Sequence, residues 1–221
     1  MNFGPKYVFQ IPEAVPFFGG VWVTNTVTTT WIIMAALFIL AFVLTRKLDE
    51  VPEGKQNFAE MLVDGLNGLV AQTMGADKMK FAPYVLTLML YLAIANLSGL
   101  LGFRPPTADL NTTLALSLLT FVMTLGFGLK SKKMDYIKGY IEPFPLMLPM
   151  NIIGELANPV SLSFRLFGNI LGGVVIMALL YGVIPLGVPA VLHVYFDVFS
   201  GLIQTFIFAM LSMVFISMAM D

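Results

Sequence analysis

Five apolar runs, each long enough to cross a lipid hydrocarbon layer, constrain this 221-residue chain more than any other feature. They lie at Thr26–Thr45, Phe81–Leu101, Asn111–Lys130, Leu146–Tyr181 and Val188–Met220. About 20 apolar residues in a helix match a hydrocarbon core about 30 Å thick. In lipid the backbone must satisfy its own hydrogen bonds, which leaves helices or closed barrels. No run shows the alternation of a barrel strand, so each is read as a helix. Composition agrees, with 58% of residues hydrophobic and 11% charged, against about 25% charged in soluble domains. So little charge excludes an ordinary soluble enzyme, a nucleic-acid binder and a disordered chain. The net charge of −1 points to no polyanionic partner, and the absence of cysteine removes disulfides and thiolate metal sites.

The first run is not read as a signal peptide: it starts well inside the chain, follows no basic segment and exceeds the 7–15-residue core of a signal. With the N-terminus outside, five spans put Arg46, Lys47, Lys55, Lys78, Lys80, Lys130, Lys132, Lys133 and Lys138 on the inner side. Lys6 and Arg104 then lie outside, and Arg165 falls within a span. This is the positive-inside bias, and it predicts a cytoplasmic C-terminus at Asp221. Between the first two spans, Phe58, Met61, Leu62, Leu66, Leu69 and Val70 recur at helical spacing, with Glu60, Asp64 and Asn67 on the other face. Segment 56–74 therefore reads as an amphipathic helix on the inner membrane surface. Its acidic polar face leaves packing on another protein chain open. No repeat, low-complexity stretch or linker divides the chain. The expected architecture is all-α and multi-spanning, a single membrane domain over 1–221. It comprises an outer segment 1–25, a span 26–45, the surface helix 56–74, spans 81–101 and 111–130, and a long hairpin 146–220.

The last two helices are too long to stand upright. The 36 residues of Leu146–Tyr181 would span about 54 Å, and the 33 of Val188–Met220 about 50 Å, at 1.5 Å per residue. Ordinary tilts of about 20° do not absorb that excess over a hydrocarbon core of about 30 Å. Either the helices lie far over in the membrane, or they are two ordinary spans with interfacial extensions. Pro159 is a candidate kink, because it cannot donate to the carbonyl of Glu155. The joint Gly182–Gly187, with Pro185, closes an antiparallel hairpin. A strongly inclined hairpin exposes one long face sideways, where another protein would pack.

Arg165 lies inside the first of these helices, where an arginine costs at least about 2.5–3.5 kcal/mol. Its neighbours Phe164, Leu166 and Phe167 do not neutralise it. Counting in threes and fours, Asn158, Ser161, Arg165, Asn169 and Gly172 share a polar or small stripe, which should face protein or water. Two readings stand: an arginine held by a buried carboxylate as a packing device, or a fixed positive charge facing a mobile anionic group. On the last helix His193, Asp197 and Gln204 follow one face. An intramembrane carboxylate such as Asp197 is a functional-site candidate, with a structural hydrogen-bond role as the alternative. His193 belongs to the same path or to the outer interface. Glu155 lies ten residues before Arg165, in an inner path or among the cytoplasmic headgroups. Asn158 and Ser161 line that path or pack between helices. A secondary transporter holding an anionic substrate between Arg165 and Asp197 is a second class, although its usual inverted repeats are missing.

The run Pro159-Val160-Ser161-Leu162-Ser163-Phe164-Arg165-Leu166-Phe167-Gly168-Asn169 resembles the signature of subunit a of the F-type ATP synthase membrane sector. Ala108-Asp109-Leu110-Asn111-Thr112-Thr113-Leu114 is similar to the family's segment opening an earlier span. Gln204-Thr205-Phe206-Ile207-Phe208 with Ser217-Met218-Ala219 is similar to its last helix. The resemblance implies an ion-translocating stator of the bacterial plasma (inner) membrane. Its implied partners are the lipid bilayer, a ring of small hairpin rotor subunits and peripheral-stalk subunits. It also implies two offset half-channels carrying protons or sodium ions to and from the ring carboxylates. Arg165 would separate the half-channels and meet each unloaded carboxylate, with Gln204 beside it. Asp197 stands where the family places an ionisable residue, seven before the glutamine. Val174 departs from the pattern, because many members carry an acid or histidine there, and His193 is a candidate substitute. Gly168, Gly172 and Gly173 would permit close approach. No phosphate loop or zinc-ligand spacing is present, so no ATP site, catalytic site, cofactor or metal of its own is expected.

Overall fold

The computed structural model describes residues 5–10, 20, 22–46, 54–134, 136, 139, 146, 148–183 and 187–221. Lys47, Lys138 and Pro185 lie outside the described residues. Five helices have the length and hydropathy to cross a membrane. α1 (Asn25–Thr45) is the least embedded in the protein. Phe38, Ile39 and Phe42 are exposed along it, as suits a lipid-facing helix. Its outer end is tied by Asn25, whose backbone N–H donates to the Lys6 carbonyl at 2.8 Å. That tie belongs to a short antiparallel hairpin, β1 (Tyr7–Gln10) against β2 (Trp22–Thr24), which the sequence pattern does not announce.

α2 (Lys55–Met74) is the amphipathic segment, and Gly75, at φ +97°, ends it. Its second half packs on the chain itself: Val70 and Met74 join Phe81, Val85, Met213 and Ile216 in a buried cluster. Phe58 and Met61, in the first half, stay exposed. α3 (Ala82–Leu97) continues into a 3-10 turn, Ser98–Leu101, closed by Gly102 in the left-handed region at φ +77°. α4 (Leu110–Lys132) starts at the N-cap Asp109, whose carboxylate accepts from the Asn111 N–H at 3.1 Å. This is the capping role expected of Asp at that position.

Thr113, Ser117, Thr120 and Thr124 form a buried stripe along α4. Their hydroxyls donate back to carbonyls three or four residues earlier, so small polar residues line a tight helix contact without unpaired groups. Thr120 also meets Tyr84 and Ser212, both at 3.2 Å. A second cluster sets Leu88, Leu92, Leu162, Leu166, Ile170 and Phe208 together.

α5 (Leu148–Val183) is continuous for 36 residues, with Pro159 inside it. The last run is not one regular helix. It comprises α6 (Val188–His193), a π-helical turn at Val194–Ser200, and α7 (Gly201–Met220). Of the three glycines expected to permit close approach, Gly173 packs on Phe196, while Gly168 and Gly172 face open space.

Several described cations sort to opposite ends of the bundle. At one end the Lys78 ammonium donates to Ser217 Oγ at 3.0 Å and ion-pairs with Asp221. Ser131, between Lys130 and Lys132, donates to the Met220 carbonyl at 3.0 Å. Lys6 and Arg104 line a cavity with His193 at the opposite end.

Candidate functional site

A cavity of about 650 Å³ lies at the Lys6–Arg104 end, lined by Val174, Tyr181, His193 and Asp197 among others. Asp197 sits in the π-helical turn and His193 is the last residue of α6. Their four-residue separation lets His193 Nδ1 approach Asp197 Oδ2 at 2.5 Å. The other ring nitrogen, Nε2, lies 2.8 Å from the Tyr181 hydroxyl of α5. Tyr181, His193 and Asp197 thus form a hydrogen-bonded series from the end of α5 into the turn. Arg104 donates from Nη2 to the Ala108 carbonyl at 3.1 Å. Burial pushes its guanidinium below the ordinary arginine value, and the Asp109 carboxylate opposes that shift.

A second cavity, of about 820 Å³, lies toward the Lys78 end, between α4, α5 and α7. Glu155 and Asn158 line it together with Lys132, Asn151, Thr124 and Phe215. A separate small pocket of about 10 Å³ shares Thr124, Glu155, Asn158 and Phe215 with it and also touches Ser117 and Thr120. Ser161 is exposed on α5 and lines neither cavity.

Arg165 lies between the two along α5. At 1.5 Å per residue it is about 15 Å from Glu155 and about 14 Å from Val174 along the axis. It lines a pocket of about 370 Å³ with Asn169, Tyr195, Phe199, Ser200, Ile203 and Gln204. Asn169 Nδ2 donates to Ser200 Oγ at 2.8 Å, linking α5 to the end of the π-helical turn. Gln204 is buried, and its Nε2 has no partner among the described residues. Arg165 itself is exposed, and no hydrogen bond or ion pair holds it among the described residues. Asp197 is engaged by His193 and Glu155 lines the other cavity, so among the described residues neither of these acids pairs with Arg165.

The structure gathers the expected residues into three groups: His193 with Asp197, Arg165 with Asn169 and Gln204, and Glu155 with Asn158. Tyr181 and Ser200 escape sequence reasoning. Each is an ordinary polar residue at a helix margin, and its partner is on another helix. Arg104 reads only as an outer cation until the fold turns it into a cavity.

Two cavities that carry ionisable side chains, at opposite ends of a multi-spanning bundle, with an arginine between them that is unpaired among the described residues, fit an ion-translocating membrane subunit. Residues 27–217 match the family described as ATP synthase A chain. The chain is 40% identical over 242 aligned residues to "ATP synthase subunit a, sodium ion specific" of Propionigenium modestum, covering 96% of this chain and 84% of that one. It is 39% identical to "ATP synthase subunit a 2" of Syntrophotalea carbinolica, with 88% and 85% covered. It is 36% identical to "ATP synthase subunit a" of Moorella thermoacetica, with 93% and 95% covered. The chain belongs to the ATP synthase A chain family. Its function is that of the ion-translocating stator in the ATP synthase membrane sector, and the independent transporter is set aside.

Proposed function

We propose that the two cavities are this stator's offset half-channels and that Arg165 separates them. The observation that carries this reading is Arg165, unpaired among the described residues, lying between one cavity with Asp197 and another with Glu155. A bare carboxylate on a rotor subunit is strongly disfavoured in lipid, whereas an ion-loaded one is neutral and can turn through it. A fixed guanidinium lowers the pKa of a neighbouring carboxyl and so favours release of its ion. Arginine suits the place because it does not deprotonate, and lysine there could lose its proton.

In this reading Asp197 and His193 carry the ion through the outer half-channel, with His193 supplying the ionisable group missing at Val174. Gln204 and Asn169 orient Arg165, and Glu155 and Asn158 serve the inner half-channel. Ser161, exposed beside Arg165, faces the rotor. The N-terminus lies outside and the C-terminus in the cytoplasm, which puts the lysine-rich end inside. The chain acts as one membrane domain. A ring of hairpin subunits and a peripheral stalk are its partners, and ATP chemistry takes place on other subunits.

The test is Arg165→Ala in the assembled complex. Ring and stalk subunits should still co-purify, while ATP synthesis driven by an ion gradient in proteoliposomes should be lost. Normal coupled synthesis by that variant overturns the assignment. A sodium gradient applied with a protonophore then identifies the ion: synthesis persists with sodium coupling and collapses with proton coupling.

A further inference from the structure

We propose that Asn96 is a positioning residue for the outer half-channel: it clamps the end of the π-helical turn and so holds the Asp197 side chain toward the outer cavity. The inference rests on the assignment of Asp197 to the ion path.

A π-helical turn is a wide, uncommon insertion in a helix, seen mostly as a single turn and frequently at functional sites. Here it spans Val194–Ser200, and none of its residues is fully buried. Core packing alone therefore does not lock it, and beside the contacts of Phe196 with Gly173 and of Ser200 with Asn169 it is held where the backbone returns to α-helix at Gly201. Asn96, near the end of α3, does so. The residue is 1% exposed. Its Nδ2 donates to the Gly201 carbonyl and to Thr205 Oγ1, both at 3.0 Å. Its Oδ1 accepts from Thr107 Oγ1 at 2.7 Å. Thr205 Oγ1 donates in turn to the same Gly201 carbonyl at 2.9 Å. Both amide hydrogens and the amide oxygen are used, and Thr107 and Thr205 are buried as well. A fully satisfied buried polar network favours one arrangement over its neighbours.

Two glycines show how closely α3 follows the turn. A Cβ on Gly201 would lie 3.1 Å from Asn96 Cβ, so the missing side chain lets α3 approach. A Cβ on Gly99 would lie 2.9 Å from Asp197 Oδ1, so the carboxylate rests on a surface that glycine clears. Three residues apart, Asn96 grips the end of the turn and Gly99 receives its carboxylate. The other ionisable groups around Asp197 are His193, bonded to it, and Lys6, Arg104 and Tyr181 on the cavity wall.

The chain contains no cysteine, so introduced thiols report position one at a time. Asp197→Cys and Leu100→Cys each put a thiol on the outer cavity wall. In the purified complex, a charged methanethiosulfonate reagent should label both. Asn96→Leu removes all three of its hydrogen bonds. Adding it should slow labelling at position 197 about tenfold or more, since the loss of even one buried hydrogen bond can shift a population that far, and leave position 100 unaffected. With native Asp197, Asn96→Leu should lower ion flux through the membrane sector severalfold. Thr205→Val removes one arm of the same network and should act in the same direction, which keeps the test available if Asn96→Leu fails to assemble. Unchanged labelling at 197, or equal slowing at 197 and 100, overturns the clamp. Unchanged ion flux in Asp197→Asn overturns the path assignment instead, and the labelling contrast still reports on the clamp.

Discussion

His193 Nδ1 lies 2.5 Å from Asp197 Oδ2, across the junction where α6 passes into the π-helical turn. The same ring reaches the Tyr181 hydroxyl through Nε2 at 2.8 Å. One imidazole therefore joins α5 to the only carboxylate among the described residues lining the outer cavity. Imidazole can bond on both sides at once because its two nitrogens point in different directions.

His193→Leu breaks both contacts while keeping most of the side-chain volume. It is expected to lower ion-driven ATP synthesis severalfold in proteoliposomes, with subunit composition unchanged on purification. Tyr181→Phe removes one of the two bonds and should produce a smaller loss. Equal rates for His193→Leu and the parent would detach His193 from the pathway.

Gly99→Ala should act on Asp197 without touching its chemistry. The added methyl would lie 2.9 Å from Oδ1, inside contact distance, so the carboxylate must swing away from its place beside His193. ATP-driven ion pumping in inverted vesicles should fall, and ATP hydrolysis by the detached soluble sector should not. Gly168→Ala, whose Cβ meets nothing within the chain, reports instead on the surface that the rotor ring would cover.

The second cavity makes a parallel prediction. Asn158→Leu replaces a cavity-lining amide by an apolar group that cannot hydrate an ion. It should lower coupled synthesis severalfold, as should Glu155→Gln, which retains the volume and removes the charge. Both variants should assemble with their partner subunits, because neither residue belongs to the buried clusters.

The Lys78–Asp221 pair predicts an acid-sensitive contact at the lysine-rich end. The hydrogen bond from Lys78 holds the Asp221 carboxyl below the usual carboxylate range. A carboxyl whose folded value is depressed contributes stability above its unfolded value of about 3.9 and loses it as pH falls through the folded value. The melting temperature of the detergent-solubilised subunit should therefore fall more steeply below about pH 4 in the parent than in Asp221→Asn. At neutral pH the variant should melt lower, because Lys78 is buried and would lose its charged partner, keeping only neutral acceptors, Ser217 Oγ and the introduced amide oxygen.

The spans are plain in the sequence. A run such as Thr26–Thr45 can only be stored in lipid or a core, and transfer of apolar surface depends on each side chain more than on its neighbours in space. Arg165 and Asp197 stand out for the converse reason, since charge in such a run is costly wherever the fold takes it. Asp109 is legible as a cap because its partner is two residues away. The N-terminal hairpin is not legible, as β1 and β2 are short and pair across an intervening segment. Neither is the π-helical turn, since Val194–Ser200 carries no residue that forbids an ordinary helix.

Hydropathy along the chain thus settles how many helices enter the membrane and which charges are anomalous there, because both follow from the transfer energies of individual residues. Which cavity each charge joins is set by contacts between residues far apart in the chain. Asn169 meets Ser200 across 31 positions, Asn96 meets Thr205 across 109, and Lys78 meets Ser217 across 139. Cavities form where helices fail to close on one another, and that depends on the shapes of several helices together.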